Sequence, residues 1–278
     1  MKRFIVVSYI LACSVVSAAD IQLPPPVVQG GMPLMQALSE RRSSRDFSER
    51  GLSDQTLSSL LWAANGINRQ ADGRRTAPTG MNVQDIEVYV MTQYGVYRYD
   101  AQGNALRLVN PGDHRAIAGK QQFACRAQIN LFFVHDRARA MKSDEADAMR
   151  YAGIHAGAVM QNVYLFCAKE GLATVARAYV DYDACAKALK LGEGQRVVLA
   201  QTVGYPPADG FVGRQAAIRT ALAHARLPER DVRRLKCELD REDGVMVYEI
   251  EFEHGGFEYD YDVDARTGSI VRSKRERD

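Results

Sequence analysis

The stretch from Asp144 to Glu170 constrains the fold more than any other part of the chain. Its apolar residues Tyr151, Ile154, Ala158 and Leu165 recur at helical spacing and Gly171 supplies a stop, which predicts one long helix with a single packing face. Strand signals stand on both sides of it. IEVYVMTQ, VYRYD and ALRLVN, split by turn chemistry at Tyr94-Gly95 and Gly103-Asn104, predict a meander, and QINLFFVHD, TVARAYV and RVVLAQTVGYP predict further strands. LSDQTLSSLLWAANG predicts a second helix, capped by Ser53 and stopped at Gly66, with shorter ones in MPLMQALSE and YDACAKALKL. Helices and strands are interspersed without the regular beat of a doubly wound sheet, so the expected class is α+β.

The pattern changes after Gly213. A helix over RQAAIRTALAHAR precedes two strands that flank His254-Gly255-Gly256. Tyr248, Ile250 and Phe252 alternate with Glu249, Glu251 and Glu253, and Phe257, Tyr259, Tyr261 and Val263 alternate with Glu258, Asp260, Asp262 and Asp264. A period of two puts aromatic and aliphatic groups on one face and carboxylates on the other. This predicts a small second domain over residues 214–278 after a main domain over 20–213, with a solvated acidic face that discourages edge pairing.

The first residues, MKRFIVVSYILACSVVSAAD, combine a basic start at Lys2 and Arg3, an apolar run from Phe4 to Val16 and small residues Ser17 and Ala19 before Asp20. That is the pattern of a cleaved secretory leader over residues 1–19, and the run is shorter than the roughly 20 residues a spanning helix needs. Removing it takes two of 36 basic side chains and none of 34 acidic ones, leaving 34 against 34. A formally neutral chain lacks the excess positive charge that nucleic-acid binding uses, so no nucleic-acid partner is expected. Cys125, Cys167, Cys185 and Cys237 survive cleavage, their spacings match no zinc pattern, and their pairing is open; Cys167, inside VYLFCA, reads as a small buried residue.

Local charge is a different matter. ERRSSRDF, residues 40–47, places Arg41, Arg42 and Arg45 around Ser43 and Ser44, a set whose guanidinium forks and hydroxyls suit a compact dianion such as one phosphate. The polar stretch NRQADGRRTAPTGMNVQ is long for a connection inside a domain and is a second candidate site. His114, His135, His155, His224 and His254 stand at no motif spacing from a carboxylate or nucleophile and read as surface or packing groups, His155 being notable for Gly153 and Gly157 beside it.

Taken together, RRSSRDF, LSDQTLSSLLWAANGIN, GRRTAPTGMNVQDIEVYVM, GVYRYD, AGIHAGAVMQNVYLFCAKEGLATV and VGYP, in this order over residues 33–206, resemble the nitroreductase-like flavoproteins, closest to the SagB-type dehydrogenases. The resemblance implies an α/β sandwich that binds FMN at a homodimer interface and transfers two electrons through flavin N5 to or from a small-molecule substrate. It also implies that Arg41, Arg42, Ser43 and Arg45 hold the phosphate and ring edge, that Pro78, Thr79, Asn82 and Gln84 reach the flavin from the partner subunit, and that the backbone at Ala176 and Arg177 meets N5. Arg214 is implied as a late phosphate contact. Thr79 stands where serine is commoner, and Arg177 where some relatives carry glutamate. The tail VMVYEIEFEHGGFEYDYDVDARTGSIV is similar to PepSY domains, which with the leader implies an exported, periplasmic or otherwise extracytoplasmic setting and an envelope peptidase or a membrane electron donor as partner. The electron source stays open between a nicotinamide, a quinone or membrane partner, and the substrate itself. A non-catalytic envelope protein that binds a peptidase or peptide through its tail is the rival reading.

Overall fold

The computed structural model describes residues 19–207, 211–242 and 244–277, so all of the expected leader except Ala19 lies outside the described residues. The elements of the first domain are β1 (Ile21–Gln22), α1 (Leu34–Glu40), α2 (Asp54–Asn65), β2 (Ile67–Arg69), β3 (Arg74–Arg75), β4 (Ile86–Met91), β5 (Gly95–Asp100), β6 (Ala105–Pro111), α3 (Gln122–Arg126), β7 (Ile129–Asp136), α4 (Glu145–Glu170), β8 (Ala173–Arg177), α5 (Tyr182–Ala188) and β9 (Gln195–Gly204). Those of the second are α6 (Arg214–Ala225), β10 (Arg233–Glu242), β11 (Val245–His254), β12 (Phe257–Asp264) and β13 (Ile270–Arg277).

Local chemistry sets the helix ends. Ser53 Oγ accepts the Thr56 amide at 3.1 Å and starts α2, and Asp144 Oδ1 accepts the Asp147 amide at 2.8 Å and starts α4. Gly171, at φ 65°, ends α4 in the left-handed conformation that glycine adopts without a Cβ penalty.

Seven strands form one sheet in the order β1-β6-β5-β4-β7-β9-β8, and every neighbouring pair is antiparallel. Its central strands are covered on both faces. Ile86, Val88 and Val90 with Leu131 and Phe133 pack under α2 and α4, while Tyr89, Met91, Phe132 and Val134 pack with Ala124 of α3 and Cys185 and Ala188 of α5 on the other side. Full burial of each large side chain contributes about 1.5–3 kcal/mol, so this two-sided layer dominates the stability of the domain. The α+β sandwich expected from the sequence is observed.

The packing face of α4 differs from the expectation. Ala148, Ala152, His155, Ala156, Val159, Val163, Phe166 and Cys167 are buried, whereas Ile154 is 58% exposed and Tyr151, Ala158 and Leu165 are half-buried. The bulky sheet beneath leaves room for small side chains, and those carry a weak hydrophobic signal. Gly153 and Gly157 face open space, so they do not serve close packing inside this chain.

Arg177 is buried where β8 meets β9. Its guanidinium donates to Thr202 Oγ1, the Ala118 carbonyl and Asn130 Oδ1, each at 2.8 Å. Burial, with no carboxylate in contact, pulls its pKa down to about 10. Gly119 makes room for it, because a Cβ there would fall 2.1 Å from Nη1.

In the second domain α6 lays Ala217, Ile218, Ala221 and Leu222 on a four-stranded antiparallel sheet ordered β10-β11-β12-β13. The expected alternation is observed, with Ile250, Phe252 and Val263 buried on the helix side. The acidic outer face is partly neutralised by cations of the flanking strands, which the sequence reading left out: Lys236 pairs with Glu251, Arg234 with Glu253 and Arg272 with Asp262. The last strand, IVRSKRER, is mostly exposed. The domains touch at Asp46, which lies against Gly213, and the Val212 amide donates to the Ala265 carbonyl.

Replacing Arg177 by Met would strand the Ala118 carbonyl and take one partner each from Thr202 Oγ1 and Asn130 Oδ1, which keep their mutual bond, and is expected to cost about 2–5 kcal/mol. In urea denaturation Arg177→Met and Gly119→Ala should both lower the midpoint, and an unchanged midpoint in either would contradict this account.

Candidate functional site

The arginine run leaves α1 at Arg41 and continues as extended chain along β8, the edge strand of the sheet. The Ser44 amide donates to the Thr174 carbonyl and the Ser48 amide to the Tyr205 carbonyl, both at 2.9 Å. These bonds fix the backbone between the arginines. A single side chain from α4, Tyr164, ties the run to the strand. Its hydroxyl hydrogen-bonds Ser43 Oγ at 2.8 Å and accepts the Ala176 amide at 2.9 Å, and the Arg41 guanidinium lies 5.3 Å from its ring centre.

A cavity of about 370 Å³ opens beside this junction, lined by Arg41, Arg42, Ser44, Tyr164, Thr174 and Pro206 among others. Glu40 also lines it, with its carboxylate held by the Gln36 amide at 2.7 Å. The lining is rich in hydrogen-bond donors and carries two guanidinium groups, which suits a phosphate or the electron-rich edge of a heteroaromatic ring.

Arg45 and Arg214 lie elsewhere. Both line the cleft between the two domains, with Phe47, Phe123 and Arg126, in two adjoining cavities of about 190 and 520 Å³. Arg41 and Arg45, neighbours in the motif, therefore open into different cavities. Ala176 presents its amide at the β8 edge next to Ser43, whereas the Arg177 side chain points into the buried clamp.

The polar stretch forms a short β2-β3 pair and then a tight turn holding Pro78, Thr79, Asn82 and Gln84. Met81, Asn82 and Gln84 all adopt positive φ, at 52°, 55° and 51°. Non-glycine residues pay about 1–3 kcal/mol each for such conformations, and they persist only where the surroundings impose them. The Gln84 amide donates to Thr79 Oγ1 at 3.0 Å, and Gln84 Oε1 accepts from Arg75 at 2.9 Å. Met81 is 87% exposed at the tip.

Beneath the turn lies a buried polar group that no motif spacing announced. Asp85 accepts from His155 Nδ1 at 2.6 Å and from His135 Nδ1 at 3.0 Å, and the Gly80 amide donates to His155 Nε2 at 2.8 Å. Burial works to raise the Asp85 pKa, but the hydrogen bonds and proximity of His135 and His155 outweigh it and hold the carboxyl below its usual range. Asp85 and His155 are 70 positions apart and meet only through the packing of α4 on the sheet. The one sequence signal is an acid at the mouth of an apolar strand. Tyr164, equally absent from the sequence reading, looks there like one more apolar helix residue.

The turn and the arginine run are anchored to α4 at His155 and Tyr164. Nine residues of helix separate those anchors by about 13 Å along its axis.

Comparison with known proteins places this geometry. The nitroreductase family matches residues 38–205, and the peptidase propeptide and YPEB domain, PepSY, matches residues 212–274. A nitroreductase-like protein of Methanocaldococcus jannaschii is 31% identical over 152 residues, covering 51% of this chain and 76% of that one. A nitroreductase-like protein of Ralstonia eutropha, known from its crystal structure, is 37% identical with a TM-score of 0.66 over 69% of this chain and 92% of that one. A chain of the Escherichia coli microcin synthetase complex shares the fold at 18% identity and a TM-score of 0.52, over 73% and 84% of the two chains.

Tyr164→Phe deletes the hydroxyl that joins Ser43 to Ala176 and is expected to lower stability by about 1 kcal/mol, since a half-buried amide loses its acceptor. Amide exchange read by mass spectrometry should quicken at Ala176; equal exchange in both proteins would refute the junction.

Proposed function

The chain belongs to the nitroreductase family, and from that premise we propose that it is an FMN-dependent oxidoreductase of the SagB-type branch, exported and working as a homodimer. The carrying observation is the arginine run pinned along the β8 edge, where Arg41, Arg42, Ser44, Tyr164 and Thr174 line one cavity and the Tyr164 hydroxyl holds Ser43 and the Ala176 amide beside it. That donor set fits FMN. Arg41, Arg42 and Ser43 would hold the phosphate and ring edge, and the amide at Ala176 would face the flavin ring. Bound there, FMN supplies a centre that accepts or gives a hydride at N5.

The chain's own residues then have positioning tasks. The Ser44 to Thr174 and Ser48 to Tyr205 bonds fix the backbone that carries the arginines. Tyr164 holds the Ala176 amide until a ligand competes for it. The strained turn with Pro78, Thr79, Asn82 and Gln84 supplies the other wall from a second copy of the chain.

The surface supports a second copy. Val27, Val28, Leu34, Met35 and Ile154 are exposed apolar groups, and Gly153 and Gly157 leave the outer side of α4 open to close approach. No helix among the described residues is long and apolar enough to cross a membrane. The PepSY domain supports an extracytoplasmic setting, in which a quinone, a membrane partner or the substrate replaces a nicotinamide as electron source.

Purified protein reconstituted with FMN should show a flavin spectrum bleached by dithionite; no bound flavin would favour the non-catalytic envelope reading. Arg41→Ala should weaken FMN binding about 10- to 100-fold. Light scattering should give twice the chain mass, and Ile154→Glu should halve it with loss of flavin; a monomeric parent that binds FMN fully would overturn the composite site.

A further inference from the structure

We propose that His155, backed by Asp85, is the positioning residue of the strained turn: its bare Nε2 holds the Gly80 amide and so sets Met81, Asn82 and Gln84 in the geometry that meets the flavin. The role in flavin binding rests on the function proposed above; the clamp itself rests on geometry alone.

The chemistry of the partners fixes the state of the ring. Asp85 is an acceptor, so the proton on its 2.6 Å bond belongs to His155 Nδ1. The Gly80 amide can only donate, so Nε2 at 2.8 Å carries no proton. Only the neutral Nδ1–H tautomer satisfies both. Asp85 is held in turn by His135 Nδ1 on its other oxygen, and by the Asp136 amide on its backbone carbonyl at 2.8 Å. The clamp thus runs from β7 through Asp85 and α4 to the turn.

The turn has little else to hold it. Its internal bonds, from Gln84 to Thr79 and Asn82, close the loop on itself without tying it to the sheet. On the sequence side Arg75 and Gly73 meet Gln84, and on the α4 side the neighbours of Gly80 are His155, Met141 and Tyr151. Of these only His155 accepts a turn amide. Space is not the reason for glycine at 80, since a Cβ would rest 3.5 Å from His155 Nε2, in ordinary contact. The amide is what the position contributes.

The role has a signature that plain packing lacks. His155→Leu removes the acceptor, while His155→Gln can offer Oε1 to Gly80 and its amide hydrogens to Asp85. Gly80→Pro removes the donor and turns its ring Cδ toward Nε2, so it breaks the clamp from the turn side without replacing His155 or Asp85, and Thr79, extended at φ −133° and ψ 148°, tolerates a following proline.

The experiment is amide exchange at Gly80 together with FMN titration on the full mature protein and the three variants. The Gly80 amide should be protected in the parent and in His155→Gln and exchange faster in His155→Leu. FMN affinity should fall about 10-fold in His155→Leu and Gly80→Pro, and His155→Gln should recover most of it. Parent-like affinity in Gly80→Pro, or His155→Gln binding as poorly as His155→Leu, would overturn the proposal. If no form binds FMN, the flavin reading fails, and exchange still decides the clamp: a fast Gly80 amide in the parent overturns it. Should His155→Leu fail to fold, Gly80→Pro carries the test.

Discussion

The burial of α4 on the seven-stranded sheet is the interaction on which the rest of the first domain depends. The helix contributes a buried row from Ala148 to Cys167 to the larger core cluster, and the central strands β4 and β7 place Val88, Val90, Leu131 and Phe133 beneath it. Two buried polar side chains nine residues apart, and so projecting to opposite sides of the helix, then reach the functional segments, His155 the 80–84 turn and Tyr164 the arginine run. Neither segment is held in place by its own sequence. Each takes one anchor from a helix that is fixed by apolar packing, and the arginine run is bound to the chain at Thr174 and Tyr205 as well.

Much of this was legible before any coordinates. Ser53 and Gly66 mark α2, Asp144 and Gly171 mark α4, and the aromatic alternation of β11 and β12 marks the second domain, because capping and period are local properties of a sequence. What failed was any feature set by the partner of an element. The packing face of α4 was misread because Ile154 and Leu165 outweigh Ala152 and Ala156 on a hydrophobicity scale, although the smaller residues are the ones that fit. The five-residue α3 is too short to show a period, and β13 is too charged to look like a strand.

The site divides in the same way. The residue types of the arginine run announce an anion partner, and their order announces a family. That Arg41 and Arg45 face different cavities, or that Arg177 serves as a clamp with Gly119, depends on where β8 lies. Sequence shows which groups are present; the register of an edge strand decides which of them converge.

The cationic β13 strand, with Arg272, Lys274 and Arg275 along its length, bears on whether another chain can add to that sheet. An open sheet edge invites another chain to add a strand, and a row of like charges repels an identical row approaching in register. At the far edge of the large sheet the arginine run already occupies part of β8, and β1 is only two residues long. Strand addition is therefore discouraged at each of these three borders. A protein protected in this way can expose an apolar helix face for pairing while limiting its tendency to grow into fibres.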